Sequence, residues 1–420
     1  MKKSLLAVAA MSAIAGGAQA QSSVTVYGLL DMGYVGTNSR VNSTAITTNG
    51  GTNKSTGNQF GAGGENSNRL GFKGTEDLGG GSSAFFTTEF QLYPQSTNLS
   101  GDANGGLLNR QTFVGLKKSG LGQAAIGLQY TPVFNAAAAT DVGQLNNMAG
   151  NVVYSANPTG SAGIAAGVGS SANNAAFTNR TSNTLSVKSD SFAGFTGSAM
   201  LTLNNKNSTQ TASNAGGNVN ASGWGLGADY TMNKFYIAAA YQALKQLTTA
   251  SNYNPTVTTS AATGANTVTG ANPWTNSGQT TGLGAAGDAL NVQDNQFYAG
   301  ATYDFGILKA YAQYINRTAT STASPNFYLK RSGEQIGVRS FITPQIESWA
   351  SAGLGRYTAL GNGQPTANFN GWQLGSNYYL SKRTNLYAIY GQTITSNAAY
   401  GTTTVSSGYS NYAIGVRHTF

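Results

Sequence analysis

The chain has 420 residues, only 9% of them charged, a net charge of +9, a mean hydropathy of −0.22 and no cysteine. The missing cysteine excludes a disulfide scaffold, thiol nucleophiles and thiolate metal sites. Soluble domains usually carry about 25% charged residues, and no apolar run of membrane-helix length follows residue 20. A long, weakly charged chain with 22 Tyr and 56 Gly therefore suits neither a soluble core nor a helical membrane bundle. It suits a barrel in which apolar and polar residues alternate, so that the average hides an apolar face.

Residues 1–20 have the layout of a secretory signal peptide. Lys2 and Lys3 precede an apolar stretch from Leu5 to Ile14, and Ala18-Gln19-Ala20 offers a small-residue cleavage site. The alternative is a membrane anchor, but the apolar stretch is shorter than the about 20 residues that span a bilayer. It also runs into Gly16-Gly17. Removing the segment takes away two lysines, leaves a domain over 21–420 and lowers the charge to +7.

From residue 23 onward, period-two alternation comes in short bursts. Successive strand side chains point to opposite faces, so each burst has one apolar and one polar side. Phe195, Gly197, Ala199, Leu201 and Leu203 oppose Thr196, Ser198, Met200, Thr202 and Asn204. Trp224, Leu226, Ala228 and Tyr230 oppose Gly223, Gly225, Gly227 and Asp229. Trp372, Leu374, Ser376, Tyr378 and Leu380 repeat the pattern. In the last burst Tyr412, Ile414, Val416, His418 and Phe420 oppose Asn411, Ala413, Gly415, Arg417 and Thr419.

Strand centres fall near residues 29, 70, 87, 113, 127, 185, 199, 227, 239, 299, 313, 336, 351, 375, 389 and 415. Between them, brief turns such as 232–234, 304–306, 343–345 and 381–383 alternate with long connections near 37–64, 93–107, 131–179, 205–221, 246–292, 319–330, 358–368 and 395–409. That alternation is expected of an all-β, closed antiparallel transmembrane barrel of sixteen strands, with short periplasmic turns and long extracellular loops. By composition, 37–64 and 246–292 read as disordered. The first and last strands must pair, because an open edge in lipid leaves backbone groups unpaired at several kcal/mol each. Tyr34, Tyr130, Tyr230, Tyr241, Tyr303, Tyr378, Tyr390, Tyr412 and Phe420 stand at strand ends, where aromatic girdles meet the headgroups. A soluble β-sandwich is the competing fold. It explains poorly why so many apolar faces are opposed by Gly, Ser, Thr and Asn.

On the polar faces stand Arg69 and Lys73, Arg110, Arg180 and Lys188, Arg339, and Arg417. A cation on a lipid face costs about 2–4 kcal/mol at midplane, so these side chains should point into the lumen. Some should pair with lumen carboxylates such as Glu89. Phe113, next to this set, is expected to face lipid. His418 lies in the lipid-facing row, so it reads as an interfacial residue and not as a catalytic base. Gly223, Gly225 and Gly227 form a G-x-G-x-G string inside a strand, which is not a nucleotide site. No catalytic residue, cofactor site or metal site stands out. The cations are dispersed over strands with no basic stretch, so no nucleic-acid partner is expected.

Several segments resemble the Gram-negative general porins of the beta-proteobacterial type. They are Ser23-Val24-Thr25-Val26-Tyr27-Gly28, Asn68 to Gly81, Asn109 to Leu116, Gln129-Tyr130-Thr131-Pro132, Asn179 to Asn183, and Gly415-Val416-Arg417-His418-Thr419-Phe420. The resemblance implies a homotrimer of sixteen-stranded barrels in the outer membrane, in contact with its lipid and lipopolysaccharide and open to small hydrophilic solutes. It further implies that the third loop, 131–179, folds into the lumen as a constriction opposite Arg69, Arg110 and Arg180. Phe420 resembles the C-terminal signal read by the outer-membrane assembly machinery. Two features depart from the pattern. Leu128 stands after Gly127 where relatives commonly have arginine, and the acidic Pro-Glu-Phe-type motif is missing from 131–179, which holds Asp141 as its sole charge.

The expected activity is therefore passive diffusion with a mild anion preference, set by the three arginines facing Asp141. A substrate-specific channel for a small organic anion or sugar is the nearest alternative. An adhesin using the long loops would need a sealed lumen, and an enzyme would need a nucleophile with a base in hydrogen-bond reach.

Overall fold

The computed structural model describes residues 23–44, 49–97, 99–100, 106–154, 176–203, 205–206, 219–220, 222–249, 256–259, 266–269, 289–322, 328–360, 366–400 and 403–420. The signal segment 1–20 lies outside the described residues. In chain order the large sheet contains β1 (Ser23–Ser43), β2 (Thr52–Ala62), β3 (Arg69–Gly79), β4 (Ser82–Gln91), β5 (Asn109–Lys118), β6 (Gly122–Tyr130), β7 (Arg180–Ser189) and β8 (Phe195–Thr202). It continues with β9 (Gly223–Met232), β10 (Phe235–Thr249), β11 (Ala289–Asp304), β12 (Lys309–Ser321), β13 (Tyr328–Phe341) and β14 (Ile346–Leu360). The last three are β15 (Ala367–Tyr379), β16 (Thr384–Tyr400) and β17 (Thr403–Thr419). The one α-helix among the described residues, α1 (Pro132–Thr140), follows β6.

Every pairing in this sheet is antiparallel, and β2 and β3 lie end to end along β1: Ser23–Leu29 faces β3, and Met32–Asn42 faces β2. The 17 strands therefore make sixteen staves. β17 pairs with β1 from Leu29↔Thr419 to Ser43↔Val405, which closes the sheet. The closure extends to the final residue, since the Gly28 and Phe420 backbones exchange both hydrogen bonds at 3.1 Å. A Cβ on Gly28 would collide with the Phe420 ring, so a glycine is needed for this seam to close. With no unpaired edge, every stave satisfies its backbone within the sheet.

The alternation that defines the strands is a difference between two solvents. The outer face leaves large apolar side chains exposed, among them Ile336 at 68%, Ile414 at 63% and Leu354 at 59%. On the same strands the inner face buries Gln335, Asn411 and Ser351. Apolar outside and polar inside inverts a soluble fold and matches a wall between lipid and water.

All sixteen expected strand centres fall within staves, but several connections are shorter than expected. β1 and β2 continue the ladder through Asn42↔Thr52 inside 37–64, and β16 and β17 reach Tyr400↔Thr403 inside 395–409. Beyond the lipid both faces of a strand meet water, so backbone pairing persists while the hydrophobic period vanishes. Two side chains also point against expectation. A register shift at Glu89/Phe90 against β5 turns Phe113 inward, edge-on to Phe85 at 6.3 Å, while Val114 and Leu116 face out. Tyr130, the last residue of β6, also lies on the inner face instead of the girdle, where its hydroxyl accepts from Arg110 at 3.1 Å and its ring stacks on Phe134.

Candidate pore constriction

Three alternate staves supply a basic wall. Arg69 opens β3, Arg110 lies near the start of β5 and Arg180 opens β7. Arg110 is spoken for on every nitrogen: Nε donates to Glu89 Oε1 at 2.7 Å, one terminal nitrogen to Gln91 Oε1 at 2.6 Å, and the other to the Tyr130 hydroxyl at 3.1 Å. Arg180 donates to the Arg110 carbonyl at 3.0 Å and lies 5.9 Å from the Tyr130 ring centroid. Arg69 donates to the Ser67 carbonyl at 3.1 Å and keeps 25% of its side chain exposed, with Glu89 at 3.9 Å. Glu89, itself 3% exposed, is the carboxylate among them. Three cations and one anion leave this wall at +2.

The three arginines line a cavity of about 240 Å³ together with Asn66, Ser67, Tyr130, Asn147, Tyr154 and Asn179. Phe134, Ala138, Gln144 and Leu145 complete the lining, and with Asn147 and Tyr154 they are the contribution of the 131–154 segment. Below it, the Tyr27 hydroxyl donates to Glu89 at 3.2 Å and Lys73 sits 5.4 Å from the Tyr27 ring.

Phe134 and Ala138 belong to α1. Thr131 caps the helix, with Oγ1 accepting from the Phe134 amide at 3.2 Å, and Pro132 takes a first-turn position where its missing N–H costs nothing. The alanine-rich helix buries Val133, Ala136 and Ala137 against Ala238, Ala240 and Tyr298 of β10 and β11. After the helix, the backbone runs along inner-face side chains of β13 to β17. The Val142 carbonyl accepts from two Arg339 nitrogens at 3.0 and 2.8 Å, and the Val152 carbonyl accepts from Arg331. Gln373 donates to the carbonyls of Met148 and Ala149 at 2.9 and 2.7 Å. Gly371 and Gly391 make this approach possible, because a Cβ at either would collide with the carbonyl oxygen of Gly150 or Ala149.

A second insertion was not anticipated. Between β2 and β3, residues 63–68 turn inward and are held by the Asp31 carboxylate, which accepts from the Glu65 and Asn66 amides at 2.8 and 2.7 Å. Asn147 ties this insertion to the 131–154 segment through the Gly63 carbonyl at 2.7 Å. It brings Asn66 and Ser67 to the cavity. The sequence signals are the Gly61-Ala62-Gly63-Gly64 run, at the end of the 37–64 connection, and the polar Asn66-Ser67-Asn68 that follows it.

The expected basic residues thus divide by task. Arg69, Arg110 and Arg180 meet at the cavity. Arg339 holds Val142 and pairs with Glu347 at 2.8 Å, and Arg417 bonds Asn385 and Asn66 at 3.0 Å each, with Glu65 at 3.4 Å. Lys188 is exposed near the turn that follows β7, beside Lys117 and Asp190. Asp141, expected across from the arginines, does not line the cavity. It is 3% exposed and accepts from the Leu145 amide at 2.7 Å, Asn151 at 2.8 Å and Gln335 at 3.3 Å. Burial pushes its carboxyl above the usual carboxylate range, against the opposing pull of the Leu145 and Asn151 hydrogen bonds. The segment spends its one acid on its own fold.

A closed antiparallel barrel, apolar outside and lined by arginines within, defines a transmembrane channel. The profile of the Gram-negative porin family matches residues 7–398. An outer membrane porin protein of Bordetella pertussis is 28% identical over the full length of both chains, and outer membrane porin protein 32 of Delftia acidovorans is 39% identical over 24% of this chain and 25% of its own. Among solved structures, an anion-selective porin from Comamonas acidovorans is similar with a TM-score of 0.59 at 18% identity, over 95% of this chain and 100% of that one. The trimer form of OmpT of Vibrio cholerae is similar with a TM-score of 0.56 at 14% identity, over 95% and 99%. The chain belongs to the Gram-negative porin family. It is an outer-membrane porin and not an enzyme.

Proposed function

We propose that this porin conducts small hydrophilic solutes with a preference for anions, and that the 131–154 segment is its constriction loop, folded into the lumen. The observation that carries the reading is the cavity at the +2 wall, whose other side offers no carboxylate among the described residues. Fixed charge in a narrow passage with low-dielectric walls enriches its counter-ion. At about 0.15 M salt the screening length is about 8 Å, so the preference should be strongest in dilute solution. The test is the sign of the zero-current potential across a bilayer holding the channel between unequal KCl solutions. The similar fold of the anion-selective porin from Comamonas acidovorans agrees with this reading.

In the same reading the chain works as a homotrimer, as the trimer form of OmpT does, with lipopolysaccharide around its outer rim and Phe420 read by the assembly machinery. The short turns face the periplasm and the long connections face outside. A protease site inserted at Gly270, which lies outside the described residues, should be cut on intact cells. The same insertion at Asn233, in the turn between β9 and β10, should be protected or prevent assembly. Cleavage at Asn233 on intact cells would reverse the orientation.

A further inference from the structure

The outward face of β12 to β15 changes character along a single rank of the sheet. Tyr314, Glu334, Leu354 and Asn370 stand level with one another by register. One rank below them are Ala312, Ile336, Ala352 and Trp372. One rank above are Asn316, Ser332, Arg356 and Asn368, and Lys330 lies a further rank up. An apolar groove of about 830 Å³ runs along the outer wall here, with Ala301, Ala312 and Ala352 in its floor and Ile237, Ile336, Leu354 and Trp372 as its ridges. Lys330, Glu334 and Arg356 are exposed at its upper end, and none of them belongs to an ion pair among the described residues. Arg356 Nε donates to Asn368 at 3.1 Å, and both stand on the outer row. A charge on a lipid face is penalised at midplane and tolerated at the interface, so this rank marks where the wall leaves the lipid core.

We propose that this face docks lipopolysaccharide by its lipid A end. The inference rests on the orientation in which the long connections face outside, and it gives the lipopolysaccharide of the outer rim a defined seat. A lipid A phosphate pairs with Lys330 and Arg356, the guanidinium in the two-point geometry it favours. Glu334, Asn368 and Asn370 meet the hydroxyl and amide groups of the phosphorylated sugar. Acyl chains run down the alanine floor, and the ridges give them van der Waals contact on both sides. A second copy of the chain is a poorer occupant, because it would take three unpaired charges out of water. Phosphatidylglycerol brings a phosphate but no amide-linked sugar to face Glu334 and the two asparagines.

The experiment titrates the full porin, folded in detergent free of lipopolysaccharide, with purified bisphosphorylated lipid A and reads bound lipid by native mass spectrometry. Lipid A should half-saturate at a concentration about tenfold below that of phosphatidylglycerol. In the Lys330→Ala, Arg356→Ala double variant the lipid A value should rise about tenfold or more, since each cation near an anionic lipid adds its own attraction. Ala352→Phe fills the floor without touching a charge and should raise it about threefold or more. If one variant does not fold, the other decides together with the wild-type comparison. Equal half-saturation in wild type and variants, or for the two lipids, would overturn the inference while the orientation stands. Loss of the trimer in Ala352→Phe with lipid A binding unchanged would also overturn it, by making this face a contact between copies. Cleavage at Asn233 on intact cells would instead remove the orientation beneath it.

Discussion

Replacing both Arg69 and Arg180 by alanine should more than halve the zero-current potential at about 0.1 M salt and leave little difference near 1 M. The pair is chosen from the hydrogen-bond pattern. Removing both takes the wall from +2 to neutral while Arg110 keeps its contacts to Glu89, Gln91 and Tyr130. Arg110→Ala is a poorer test, because it strands Glu89, 3% exposed, and breaking a buried pair costs about 3–5 kcal/mol. Asp141→Asn should not alter the selectivity, since its carboxylate is enclosed by Leu145, Asn151 and Gln335. A strong response to Asp141→Asn, with none to the double arginine variant, would move the selective groups to the other side.

Gln373→Leu should loosen the proposed constriction loop without opening the barrel. The Gln373 amide donates to Asn146, Met148 and Ala149 and accepts from the Asn146 side chain, and leucine replaces it at similar volume without leaving a charge. Stranding two or three buried acceptors costs about 1–3 kcal/mol each. Hydrogen exchange at 141–152 should accelerate by about a hundredfold or more, with the β14–β17 amides unchanged and open-channel noise raised. Unchanged exchange would mean that this wall does not hold the segment.

The barrel was legible in the sequence because lipid imposes period two on every strand that crosses it. Trp372, Leu374 and Tyr378 announce their face directly. Where a strand leaves the lipid, as in Ser39 to Asn42, both faces are wet and nothing periodic remains to read. The arginine wall was legible for the same reason, since a cation excluded from the lipid must point inward. Two things were not legible. A bulge in β5 reverses alternation by one residue and turns Phe113 to the inner face, and Tyr130, at the end of β6, turns inward to meet Arg110 and Phe134. Asp141 meets a partner 194 residues away in Gln335, a contact set by the closed barrel and not by any local pattern.

The most direct test of anion preference is the zero-current potential of the wild-type channel under a KCl gradient, taken with the dilute side near 0.1 M and repeated near 1 M. The expected result is a potential whose sign reports chloride as the more permeant ion, large in dilute salt and shrinking as screening closes in. A potential of the opposite sign in dilute salt, reporting potassium, would contradict it.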